Sequence, residues 1–243
     1  MVTGAYIFLT RLDTLVAIDL VFYAVHVWIE RQQFNLEIAL KLSKIVNIYY
    51  SLWSIAWLVL CLYAWPFSEW IFDSQQLCSG VSRNSLTDVI FFGYYVSKFH
   101  EYLDIILVLL APRKYPLHPH FRYHHLTTPF FAYLFLHHQC GHHVVFMMAN
   151  LLMHAMVYAY LGGLRNRPVF WMCHVWGHLQ LLLGIGTGTY SLWNRWNNSG
   201  CSCGSVWSEM IPVGLYLMYF ILFQYELYWI WPPVDKKKNS KRD

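Results

Sequence analysis

Charge is scarce in this chain. Asp, Glu, Lys and Arg make up 12% of its 243 residues, against 57% hydrophobic and 19% aromatic. Soluble domains carry about 25% charged residues, so a soluble globular protein is excluded. Few segments outside the apolar runs are long enough to form a soluble domain, and no internal repeat or low-complexity stretch interrupts them. The first apolar run lacks a basic n-region followed by a small-residue cleavage site, so it reads as a span rather than a signal peptide. The net charge of +4 is not a nucleic-acid signature, because the basic residues are scattered through connecting segments and one C-terminal run.

What the sequence does have is apolar length. Runs of about 20 residues can cross a bilayer, and they fall at 13–29, 45–67, 89–111, 124–137, 144–163, 169–193 and 206–231. The expected fold is therefore all-α: a single transmembrane domain over 1–243 with about seven helices, ending in a cytosolic basic tail at 234–243. Loop charge supports the count. With the N-terminus outside, thirteen basic residues lie inside (Arg31, Lys41, Lys44, Arg113, Lys114, Arg122, Arg165, Arg167, Lys236, Lys237, Lys238, Lys241, Arg242). Only Arg11, Arg83 and Arg195 lie outside, a strong positive-inside bias. The sequon Asn197-Asn198-Ser199 then falls outside, as do Cys78, Cys201 and Cys203, with Cys140 at an outside edge. A bridge from Cys78 to Cys201 or Cys203 is expected if that side is oxidising, with free thiols as the alternative.

Inside the third run stand Lys98, Glu101 and Asp104. Residues three apart lie about 300° apart around a helix, so the three share an arc of roughly 120°. A charge at mid-membrane costs roughly 2.5–3.5 kcal/mol on insertion scales, so this face looks into protein and marks a functional site by default. The plain alternative is a paired structural cluster, Lys98 with Glu101 and a third partner. A second polar cluster weighs against it. His124-His125 opens the fourth run. Asn150, His154 and Tyr158 repeat at intervals of four in the fifth and so share a face, and His174, His178 and Gln180 lie in the sixth. A neutral imidazole accepts protons near pH 7 and can act as a nucleophile.

These constellations resemble the ELO family of fatty-acid elongases, over roughly 45–233. The family motif K-x-x-E-x-x-D is matched by Lys98, Glu101 and Asp104. The last two histidines of H-x-x-H-H are matched by His124 and His125. N-x-x-x-H-x-x-M-Y-x-Y is matched by Asn150, His154, Tyr158 and Tyr160, and Gln180 survives from T-x-x-Q-x-x-Q. Phe121 replaces the first box histidine, Val157 a methionine, and Gly177 and Leu183 the expected Thr and second Gln. Either His120 or His118 substitutes for the missing histidine, or the enzyme is slow or inactive.

The resemblance implies a very-long-chain 3-oxoacyl-CoA synthase of the endoplasmic reticulum membrane, N-terminus lumenal and C-terminus cytosolic, whose helices enclose a narrow acyl tunnel. It would condense acyl-CoA with malonyl-CoA, without cofactor or metal. His124 would form an acyl-imidazole, and His125 and His154 would position substrate and move protons. Asn150, Tyr158 and Lys98 would stabilise an enolate, with Glu101 and Asp104 holding Lys98 and the histidine tautomers. Arg113, Lys114, Arg122, Arg165 and Arg167 are cations available to CoA phosphates, and Tyr160 and Gln180 are further substrate contacts. The bilayer, the reductase and dehydratase of an elongation cycle, and a homodimer are the partners implied; no nucleic acid is. Two rival readings remain: a di-iron desaturase or hydroxylase, because His120/His124, His138/His142 and His174/His178 have helix-face ligand spacing, and a seven-span receptor or transporter. The first is weakened because those histidines fall on opposite sides of the membrane. The second lacks the Asp-Arg-Tyr and Asn-Pro-x-x-Tyr runs of rhodopsin-like receptors.

Overall fold

A computed structural model describes residues 7–65, 74–112, 119–197, 201 and 203–230. The C-terminal tail, Arg113, Lys114 and His118 lie outside the described residues. Among the described residues seven long helices form: α1 Leu12–Gln32, α2 Glu37–Ala64, α3 Ser85–Leu110, α4 Pro119–His138, α5 Gly141–Gly162, α6 Arg167–Trp196 and α7 Val206–Ile230. A short helix, Ser74–Cys78, lies between α2 and α3. No strand occurs among the described residues; a single antiparallel bridge joins Gly80 to Cys140.

The chain is an all-α polytopic membrane protein. By length and apolarity five helices among the described residues qualify to cross a bilayer: α1, α2, α5, α6 and the Val206–Tyr225 part of α7. α3 and α4 fall short of that measure because they carry Lys98, Glu101, Asp104, Arg122 and the histidine pair.

Local chemistry sets the helix ends. Asn84 caps α3 by accepting from the Thr87 amide at 2.9 Å while the Thr87 hydroxyl takes the Asn84 amide, a reciprocal capping box. Asn166 caps α6 through the Val169 amide, with Pro168 in the first turn. Gly163, at φ 137°, ends α5 in a conformation that a side chain disfavours. Pro129 sits inside α4 and has no amide hydrogen for the His125 carbonyl one turn back.

Pairwise packing closes a ring. α2 packs on α5, α5 on α6, α6 on α7, α7 on α4, α4 on α3, and α3 back on α2, while α1 lies outside against α3 and α4. Small residues bring the walls together: Ser43, Asn47, Ser51 and Ser54 are buried along one face of α2, and the Ser51 hydroxyl donates to the Ala155 carbonyl at 2.8 Å. Burial is inverted relative to a soluble bundle. Leu52, Ile55, Val59, Trp171, Val175, Leu182 and Ile221 are exposed, while Lys98, Glu101, Asn150 and Gln180 are not. Such a surface suits lipid, where backbone groups are satisfied within helices. The apolar core fills much of the ring with aromatics, among them Phe91, Tyr94, Phe131, Phe135, Phe146 and Tyr216.

Candidate active site

The polar residues converge inside the ring. Lys98, 1% exposed, donates from Nζ to Glu101 Oε1 at 2.7 Å and to Asn150 Oδ1 at 3.1 Å, and its ammonium lies 4.6 Å from the Tyr94 ring centre. Asn150 Oδ1 also accepts from the Tyr94 hydroxyl at 2.9 Å, and its Nδ2 donates to Gln180 Oε1 at 3.1 Å. Helices α3, α5 and α6 are thereby joined through one amide, whose orientation follows from having acceptor work on one side and donor work on the other.

Glu101 is the electrostatic hinge of the cluster. Its Oε1 lies 3.3 Å from His154 Nδ1 and its Oε2 lies 3.4 Å from His125 Nδ1, all three residues being buried. The His125 contact is within ion-pair reach without hydrogen-bond alignment. Two imidazoles therefore turn Nδ1 toward one carboxylate, which orients their rings. His124 is placed differently. Its Nδ1 is buried without a hydrogen-bond partner among the described residues, and its ring centre is 4.9 Å from Tyr219, 5.3 Å from His125 and 6.4 Å from His154. Tyr219 is fixed from α4 by a 2.5 Å contact between its hydroxyl and that of Thr127.

Of the other residues singled out in sequence, Tyr158 is buried, its ring 5.2 Å from those of His154 and Tyr50. Asp104 is buried on the same helix as Lys98, but the bonds described for Lys98 go to Glu101 and Asn150, and Asp104 Oδ1 has no partner among the described residues. Tyr160 lies beside Phe170, outside this network. Arg165 and Arg167 are exposed at the α5–α6 turn, while Arg122 is paired with Glu30 at 2.5 Å. His120 places its ring 5.7 Å from that of His124, whereas Phe121 lies 4.5 Å from that of His125.

Sequence reasoning missed Tyr94, Tyr219, Thr127 and Tyr50. Tyr94 had a signal, one turn before Lys98 on the same face. Tyr219 had none, because α7 offers no polar pattern.

Glu101, His124 and His154 each offer a ligand atom within 4.8 Å of the others. Lys98 already places its ammonium on that carboxylate, so an added cation would compete with a resident one. Cys140, His142 and His143 form a second such group, but Cys140 is bridged to Cys203 and offers no thiolate. Two histidine groups at opposite ends of α4 and α5 do not make one dinuclear centre. A groove of about 730 Å³ between α1 and α3 lies outside the ring and holds none of the network.

The helical ring thus encloses a buried network of lysine, carboxylate, histidine and amide groups within a membrane protein. The GNS1/SUR4 family model matches residues 8–237, and the chain belongs to the ELO family. Members of this family are elongases, the condensing enzymes of fatty acid elongation. No curated protein matches the chain.

Proposed function

We propose that the protein is a 3-oxoacyl-CoA synthase that condenses a long-chain acyl-CoA with malonyl-CoA in the endoplasmic reticulum membrane, N-terminus lumenal and C-terminus cytosolic. The observation that carries this reading is Glu101, which gathers Lys98, His125 and His154 beside His124, whose Nδ1 has no hydrogen-bond partner among the described residues.

The steps balance without a redox partner. A His124 nitrogen attacks the thioester carbonyl, a C–N bond forms, the C–S bond breaks, and CoA leaves as thiolate, protonated through His125 or His154. Splitting the transfer through an acyl-imidazole replaces one hard step with two easier ones. Malonyl-CoA then loses carbon dioxide to give an enolate. Lys98, Asn150 and Tyr158 supply donors for that charge, the role of preorganised dipoles in a water-poor site. The enolate carbon attacks the acyl-imidazole, a C–C bond forms, the C–N bond breaks, and His124 is regenerated with release of 3-oxoacyl-CoA.

The acyl chain would lie in a narrow tunnel along the ring's aromatic interior. Arg165 and Arg167, with Arg113 and Lys114, would meet the CoA phosphates; Tyr160, Gln180 and Asp104 would support substrate and site. No cofactor is needed, and a reductase and a dehydratase would consume the product. The test is direct: purified protein, labelled malonyl-CoA and acyl-CoAs from medium to very long, with His124→Ala beside it. Labelled 3-oxoacyl-CoA absent from the variant supports the proposal; folded protein that gives no product with any acyl-CoA overturns it.

A further inference from the structure

We propose that α1 is a positioning strut for the histidine pair: Glu30, reaching in from outside the ring, holds Arg122 and thereby fixes the first turns of α4, which carry His124 and His125. This rests on the condensation reading for its kinetic readout.

Contacts of two kinds reach α4 from α1 among the described residues. The first is polar. Glu30 Oε1 meets Arg122 Nη2 at 2.5 Å, and His26, fully buried one turn earlier, brings Nε2 within 3.7 Å of Glu30 Oε2. The second is apolar. Phe121, the neighbour of Arg122, packs against a cluster built on Phe22, Ile29 and Tyr102, and its ring meets that of His125 edge-on at 4.5 Å. Around the helix, residues 121, 122 and 125 face α1 and α3, while His120 and His124 turn toward Tyr219 of α7. A displacement of Phe121 or Arg122 is therefore transmitted to His125 within one turn, and from His125 to Glu101.

α1 also packs on the ring through apolar residues, with Leu15 in the main core and Ile29 clustered with Ile105 and Leu109 of α3. The groove of about 730 Å³ separates much of it from α3. Among the contacts that cross are the Phe22–Tyr102 ring stack at 3.7 Å, the hydrogen bond from the Tyr102 hydroxyl to Asp19, and the Glu30–Arg122 pair. Glu30 and Arg122 are each about a third exposed, so their pairing adds little to global stability. Its consequence is geometric: misplacement of a catalytic group by about 1 Å can cost on the order of 100-fold in rate. This assigns Arg122 a positioning role rather than a contact with CoA phosphate.

The variants are Glu30→Gln, Arg122→Met and the exchange Glu30→Arg/Arg122→Glu, each checked for its melting temperature in detergent. Either single change is expected to lower kcat by roughly 10- to 100-fold with KM for acyl-CoA nearly unchanged, and the exchange to restore most of it. A raised KM in Arg122→Met with normal kinetics in Glu30→Gln would overturn the strut, since that is the signature of a phosphate ligand. A second readout needs no turnover: diethyl pyrocarbonate modification of His124 and His125, followed by mass spectrometry. Glu30→Gln should change those rates in folded protein; unchanged rates overturn the proposal. If the wild type makes no 3-oxoacyl-CoA while the rates still shift, the condensation reading fails and the strut stands.

Discussion

Lys98 is fully buried and answers to two acceptors, one of them charged. Removing one partner of such a pair is worse than removing both, because a lone buried charge keeps its desolvation cost without compensation. Lys98→Met should therefore destabilise the protein by about 3–5 kcal/mol. The double change Lys98→Met/Glu101→Gln should cost less than Lys98→Met alone. Thermal unfolding in detergent compares them, and a double variant less stable than the single would contradict the pairing. Gln180 offers a milder test. Gln180→Leu strips the acceptor from Asn150 Nδ2 and should cost about 1–3 kcal/mol. At this scale the sequence was most legible: Lys98, Glu101, His125, Asn150, His154 and Gln180 are in one network, and each was a polar residue out of place in an apolar run. Tyr94 and Tyr219 escaped because tyrosine is ordinary in such runs, so only its hydroxyl's partner reveals its part.

Helix boundaries were less legible than helix existence, for a physical reason. Apolarity marks the stretch suited to the bilayer, whereas a helix continues until its backbone is capped. The run expected at 45–67 is helical from Glu37, with exposed Lys41 and Lys44 on its first turns. The run at 124–137 begins instead at Pro119, so that the polar turn of His120 to His125 belongs to α4 and can face the ring. Two glycines separate close approach from mere helix content. A Cβ on Gly93 would lie 2.0 Å from Trp57 Cζ2, and that indole is tied to the Ile90 carbonyl of the same helix at 3.1 Å. Gly93→Ala should force α2 and α3 apart, at roughly 1–3 kcal/mol. Gly186 has open space around its Cβ position, so Gly186→Ala should be neutral or stabilising by up to about 1 kcal/mol through helix propensity. Melting temperatures that move in the same direction for both would show that packing does not decide between them.

At the scale of the whole molecule, the order of helices around the ring was not legible in sequence. α4 sits between α3 and α7, and α2 sits beside α5, pairings that no hydropathy pattern specifies. The cysteines were partly legible. A bridge from Cys78 to Cys201 was one of two expected partnerships, and Cys140–Cys203 accompanies it. Together these tie the α2–α3, α4–α5 and α6–α7 connections at one end of the ring, reinforced by amide bonds from Val81 to the Gln139 carbonyl and from Gly141 to that of Ser79. The bridges span 123 and 63 residues of chain, and loops of this size imply about 4–5 kcal/mol each if the constraint acts on unfolded-chain entropy. The site stands well away from them: His124 and Cys140 are 16 positions apart, about 24 Å along a helix axis. Stability and catalysis should therefore separate. Cys78→Ser/Cys201→Ser is expected to melt well below the parent protein, while its turnover per folded molecule, measured below that transition, stays near the parent value. A loss of turnover in still-folded protein would show that the bridged end shapes the acyl path, and the two ends of the ring would then act as one unit.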